Sequence, residues 1–157
     1  MEWASVLELS SKWQMDKIQK IAVEQILKLQ HLVRVNVQQD LLRLANKLGI
    51  IEIRNTAIQR LSNALPPVEC IQLGNELQAT SLVLCGYVRL VQMAGGISEE
   101  HEERLGRKTT SKLFRIRDTY LQGMEGGGSS FSLIGPVTDK IEEEFAEGLK
   151  AAVWFGN

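Results

Sequence analysis

The sequence predicts an all-α protein of three stacked, repeat-like helical hairpins, followed by two further helices and a C-terminal amphipathic helix. The main observation is an internal repeat: the apolar pattern of 7–26 returns 35 positions later in 42–61, and again 29 positions after that in 71–90. A repeat of this length with helical spacing is typical of stacked helix pairs. The matched positions are Leu7, Leu9, Lys12, Trp13, Met15, Ile18, Ala22, Val23 and Ile26; then Leu42, Leu44, Lys47, Leu48, Ile50, Ile53, Ala57, Ile58 and Leu61; then Ile71, Leu73, Leu77, Leu82, Gly86, Tyr87 and Leu90.

One column of the repeat holds only small residues, namely Ala22, Ala57 and Gly86. Small residues allow two helices to cross closely. We therefore expect all three to be buried where the helices of a pair meet.

Composition indicates a protein of the cell interior, cytoplasmic or nuclear. The 157 residues carry a formal net charge of -1, which does not favour bulk attraction to nucleic acid or anionic lipid. No apolar run approaches the roughly 18 residues of a membrane span, so we expect no membrane partner. The N-terminal residues lack a secretory signal pattern. Cys70 and Cys85 are the only cysteines, and we expect both to be free thiols in a reducing compartment.

The predicted hairpins comprise helices over 2–13 and 16–29, 38–48 and 51–62, and 67–78 and 81–92, with a connector at 31–37. Asp16 and Gln19 suggest a capping box. Gly49 is placed to end its helix in a left-handed conformation, and Pro67 suits the first position of the next helix.

After Gly95 and Gly96 the pattern predicts a short helix capped by Ser98 that stops near Gly106, then a helix over 108–122. Residues 123–136 contain five glycines, and this composition predicts a flexible linker. A tail helix follows at about 138–155, with Asp139 and Glu142 as a second capping-box pair. The predicted division is a helical domain at 1–122, the linker at 123–136 and the C-terminal helix at 137–157.

Several blocks resemble the helical segment that follows the BTB (POZ) fold in many fungal BTB-domain proteins, a segment similar in kind to the BACK region. The resemblance covers about residues 3–118. Its blocks are Trp3 to Trp13 with Ile18, Ala22 and Val23; Leu41 to Leu48 with Ile53, Arg54, Ala57 and Ile58; Pro67 to Leu77; Gly86 to Leu90; Ile97 to Glu100; Leu105 to Gly106; Thr109 and Thr110; and Ile116 to Asp118.

The resemblance implies a non-catalytic adaptor module that positions or extends a protein-binding surface. Two positions depart from the family pattern: Leu82 stands where a Trp is usual, and Pro66 where a Ser or Asp is usual. No strand-rich BTB fold precedes Trp3 in this sequence, so the dimerisation that belongs to that fold is not carried over. A tetratricopeptide-like, peptide-binding scaffold is the alternative repeat, although its period is close to 34 residues.

The sequence offers little for catalysis, and we expect no catalytic site, cofactor or metal. His31 and His101 are the only histidines, and His101-Glu102 begins a zincin-like motif that lacks its second histidine. The cysteines are 15 positions apart without a CxxC pair. The glycine-rich run at 126–130 follows no strand and precedes no GKS or GKT, which favours a linker over a phosphate loop.

The candidate interaction residues fall into two groups. The first is a basic stripe at 104–117, with Lys108, Lys112 and Arg115 spaced to share one helix face. It could serve an anionic partner such as nucleic acid, although neighbouring acidic residues favour a solvated surface. The second group lies on the tail helix and comprises Ile141, Phe145, Leu149 and Trp154. This apolar stripe is expected to cap one end of the stack, with capture of a partner helix or self-association as the alternatives.

Overall fold

The computed structural model describes residues 2–125 and 134–151, and this part of the chain is entirely helical apart from its turns, as the sequence predicts. It divides into two compact units that meet in sequence at Leu65 and Pro66. This boundary, marked by the diproline at Pro66 and Pro67, falls inside the predicted helical domain of 1–122.

The first unit contains two helical hairpins. The first pairs α1 (Glu2–Lys12) with α2 (Asp16–Leu29), and the second pairs α3 (Val35–Leu48) with α4 (Ile51–Ala64). The hairpins also stack on each other, α1 against α3 and α2 against α4. Their shared core is formed by Leu7, Ala22, Ile26, Leu41, Ala45, Ile50 and Ile53.

Two local predictions in the first unit were wrong. Met15 precedes α2 and makes no side-chain cap, so Asp16 and Gln19 do not form a capping box. The connector at 31–37 is shorter than expected, because a 3-10 turn occupies Gln30–Leu32 and α3 already begins at Val35. Gly49 adopts the predicted left-handed conformation, with φ of 68° after α3.

The second unit contains the third hairpin, α5 (Pro67–Glu76) with α6 (Thr80–Gln92), then α7 (Glu99–Leu105) and α8 (Arg107–Glu125). The tail follows as α9 (Ile134–Glu144) and α10 (Ala146–Ala151). Side chains from α5, α6, α8, α9 and α10 enclose one core. Its buried members are Val68, Ile71, Val83, Tyr87, Leu90, Val91, Ile97, Leu113, Ile116, Tyr120, Val137, Ile141 and Leu149.

The predicted tail boundaries need correction. The helix α8 continues through Gly123 to Glu125, because a single glycine costs only about 1 kcal/mol relative to alanine in a helix. In the structure α9 spans Ile134–Glu144, so Asp139 and Glu142 lie inside the helix and not at its start. A turn at Phe145 separates α9 from α10. The centre of the predicted linker, 126–133, and the end of the predicted helix beyond residue 151 lie outside the described residues.

The predicted burial of the small residues in the repeat is confirmed. Ala22, Ala57 and Gly86 are all buried. At Gly86 the two helices are so close that an added Cβ would lie 2.6 Å from the carbonyl oxygen of Pro67 and 2.6 Å from Cγ1 of Ile71. Such a contact is far inside van der Waals distance, so the third hairpin needs glycine there.

Candidate functional site

The first hairpin exposes large apolar side chains around the turn that joins α1 to α2. Leu9 is 51% exposed, Trp13 62%, Met15 40% and Ile18 44%. We call these four residues the first-hairpin face. All lie within about one helical turn of the connection, so the structure concentrates them at one end of the hairpin. A cluster of exposed apolar side chains of this kind is typical of a surface that binds another protein.

The repeat explains why these four residues are apolar. Their equivalents 35 positions later are Leu44, Leu48, Ile50 and Ile53. Ile50 and Ile53 are buried in the core shared by the two hairpins, and Leu44 and Leu48 are half-buried against it. The second hairpin therefore uses these positions to pack against the first, whereas the first hairpin leaves them open.

The positions that hold each hairpin together do not show this difference. Leu7 and its equivalent Leu42 are fully buried, as are Ala22 and Ala57. Among the matched positions, the two hairpins differ in exposure where the second packs against the first.

An open groove of about 650 Å³ runs beside the first-hairpin face, with Leu9 and Leu48 among its apolar lining residues. Two lysines, Lys12 and Lys47, also line it. The Nζ of Lys47 lies 3.2 Å from an Oε1 oxygen of Glu8, which links α3 to α1. Lys12 has no ion pair with any residue that the structure describes, so the rim of the groove retains one uncompensated positive charge.

The tail residues predicted to cap the stack, or alternatively to capture a partner, lie inside the second unit. Ile141 is fully buried and Leu149 nearly so, both in the core with Tyr87. The ring of Phe145 stacks on that of Tyr87 with 4.4 Å between centroids. These side chains cover the third hairpin, as a cap would, and are not available to a partner in this structure. Trp154 lies outside the described residues.

Some cations of the predicted basic stripe contact other parts of the second unit, and others are exposed to solvent. Lys112 donates a hydrogen bond to the carbonyl of Glu144, and its Nζ lies 5.0 Å from the centre of the Phe145 ring. The guanidinium groups of Arg104 and Arg117 donate to Oε1 of Gln72 and to the carbonyl of Val91, at 2.7 and 2.5 Å. Lys108 and Arg115 are exposed and make no ion pair with a described residue. Half of the six cations in 104–117 thus hold the second unit together.

His101 has a structural role that the sequence motif did not suggest. The backbone N–H of Ser98 donates to Nδ1 of His101 over 3.1 Å, and the Ser98 hydroxyl accepts from the N–H of His101. The two residues form a reciprocal capping box at the start of α7. The expected cap at Ser98 is confirmed, with histidine in the position where glutamate is usual.

Neither Cys70 nor Cys85 is in a disulfide, and the two thiols differ in exposure. Cys70 is fully buried between α5 and α6, and Cys85 is half-buried. Burial, reinforced by the neighbouring Cys85, raises the pKa of the Cys70 thiol to about 11, although Arg89 acts in the opposite direction. The Nη1 of Arg89 donates to the Cys70 sulfur over 3.9 Å. This environment keeps Cys70 protonated and weakly nucleophilic.

Among the described residues, no group of three or more His, Cys, Asp or Glu side chains is placed to hold a metal ion. No helix in residues 2–125 or 134–151 is long and apolar enough to cross a membrane. Comparison with protein-family models, curated proteins and solved structures gives no match. The first-hairpin face is therefore the feature from which a function can be argued.

Proposed function

We propose that the protein is a non-catalytic interaction module that binds a helical partner on the first-hairpin face. The observation that carries this proposal is that Leu9, Trp13, Met15 and Ile18 are exposed while their repeat equivalents are covered by a helical hairpin. The resemblance to the helical region of BTB proteins agrees with an adaptor role.

The chemistry of the face defines the partner. Because α1 and α2 cover the equivalent surface of the second hairpin, a helix or helix pair with an apolar stripe fits the first-hairpin face in the same way. The free charge of Lys12 favours an acidic residue beside that stripe. Trp13 is the expected anchor, since aromatic residues dominate the energetics of many interfaces.

A nucleic-acid role through the stripe at 104–117 is the weaker candidate. Arg104, Lys112 and Arg117 are engaged within the second unit, which reduces the charge available to phosphates. A protein whose affinity came from phosphate contacts would lose binding steeply as salt rises. Apolar binding on the first-hairpin face depends little on salt.

The test is site-specific photocrosslinking in cells that express the protein. A benzophenone amino acid replaces Met15 in one variant, which keeps the anchor Trp13, and the exposed Glu24 of α2 in a control. We expect a defined crosslinked protein from position 15 that is absent from position 24. The proposal also predicts that Leu9→Ser with Ile18→Ser abolishes that product while the helical circular dichroism is retained. Equal products from both positions, or a product unaffected by the two serines, would refute it.

A further inference from the structure

The first two hairpins carry a lysine at the same repeat position, and only the second hairpin's lysine is paired among the described residues. Lys12 and Lys47 are 35 positions apart, each in the last turn of its helix. The Nζ of Lys47 lies 3.2 Å from Oε1 of Glu8, which belongs to the hairpin that packs against it. Lys12 is exposed and has no such carboxylate. We therefore expect the element that covers the first-hairpin face to bring an acidic group to Lys12.

An unpaired carboxylate lies beside the same face. Asp16 is the first residue of α2 and directly follows Met15 of the first-hairpin face. It is exposed and makes no ion pair with any residue in 2–125 or 134–151. Lys12 and Asp16 stand on opposite sides of the turn and are not paired with each other. The first hairpin therefore presents one positive and one negative charge next to four exposed apolar side chains.

The turn that separates these two charges has a conformation set by the repeat. Gln14 has a φ of 55°, and its repeat equivalents Gly49 and Gln78 have φ values of 68° and 53°. Glutamine rarely adopts this left-handed conformation, so the packing of each hairpin imposes it. The first hairpin therefore holds Lys12 as the second holds Lys47, and the missing ion pair reflects a missing neighbour.

We propose that the first-hairpin face binds the same face of a second copy of this chain, in a dimer with two-fold symmetry. This inference rests on the proposed function and names its partner. A two-fold axis brings a surface against itself, so the surface must be complementary to itself. Lys12 of each copy then pairs with Asp16 of the other, which gives two equal ion pairs around the joined apolar side chains. A face with charges of one sign only would repel its own copy.

The test is sedimentation equilibrium of the full chain and of two charge reversals. Lys12→Glu leaves two negative charges beside the face, and Asp16→Lys leaves two positive charges. Each variant alone should dimerise about tenfold more weakly than the parent chain, because both ion pairs become repulsive contacts. An equimolar mixture of the two should restore a dimer, because both contacts across the axis then join opposite charges. Lys108→Glu makes the same change of net charge at an exposed position of the second unit and should have no effect.

The outcomes separate this inference from the proposed function. A parent chain that stays monomeric at ~1 mM, or a mixture that does not restore the dimer, would overturn the inference. If the chain is monomeric while position 15 still crosslinks to a different protein in cells, the inference fails and the proposed function stands. If Leu9→Ser with Ile18→Ser leaves every crosslinked product in place, the proposed function fails as well. Should a charge reversal unfold the chain, Lys12→Gln and Asp16→Asn replace the pair, and dimerisation as tight as the parent's in both would contradict the proposal.

Discussion

The aromatic rings of Tyr87 and Phe145 stack in the second unit, 4.4 Å between centroids and 23° between planes. This contact joins α6 of the third hairpin to the turn between α9 and α10. Burial in this core desolvates the phenol of Tyr87 and raises its pKa. Lys112 of α8 lies over the ring of Phe145, with its Nζ 5.0 Å from the ring centre. The tail is therefore a structural part of this unit.

Shortening Ile141, a buried residue of α9, should destabilise the protein. Ile141→Ala leaves a cavity in the core of the second unit and should lower the free energy of unfolding by about 2–5 kcal/mol. Urea denaturation followed by circular dichroism measures this change. Glu142→Ala, one position along and exposed, is the control and should change it by less than about 0.5 kcal/mol. A stable Ile141→Ala variant would show that the tail does not pack as described.

The close crossing of α5 and α6 predicts that Gly86 cannot be enlarged. Gly86→Ala places a Cβ 2.6 Å from the Pro67 carbonyl oxygen, and we expect the overpacking to cost about 1–3 kcal/mol. Gly95→Ala is matched in chemistry, but its Cβ would meet nothing within 4 Å. Thermal melting should separate the two variants clearly. Equal melting temperatures would mean that the helices can move apart at little cost.

The thiols should differ in reactivity. With a pKa of about 11, Cys70 carries only about a thousandth of its population as thiolate at pH 8, and it is also buried. Alkylation of the native protein with iodoacetamide at that pH, followed by peptide mass spectrometry, should modify Cys85 well before Cys70. The thiolate fraction grows as the pH rises toward the pKa, so the rate at Cys70 should increase steeply above pH 9. Comparable rates at pH 8 would contradict the buried environment, and a denatured sample serves as control.

The sequence was sufficient for the architecture because the repeat encodes it directly. The small column at Ala22, Ala57 and Gly86 identified the crossings, and Gly49 and Ser98 identified helix ends through local chemistry. The tail was less predictable. The glycines around Gly123 suggested a linker, yet α8 continues through that position because its apolar side packs in the core.

The candidate sites could be predicted only in part. Leu9 and Ile18 fit the same apolar pattern as their buried equivalents, and periodicity alone cannot show which copy of a repeat is left uncovered. The tail stripe was identified correctly as apolar, but the pattern of Ile141 and Leu149 is the same for a cap and for a docking helix.

A fusion protein can show whether helices cover the first-hairpin face. A second copy of 1–35 is placed before Met1, which keeps the 35-residue offset between successive hairpins. All tryptophans except the original Trp13 are replaced by phenylalanine, so the fluorescence reports on the face alone. A control fusion carries Ala22→Asp and Ile26→Asp in the added copy, which prevents that hairpin from folding. We expect the intact copy to shift Trp13 emission to shorter wavelength, to protect Trp13 from quenching by acrylamide and to raise the melting temperature relative to the control. Trp13 emission and quenching that are identical in the two fusions would contradict it.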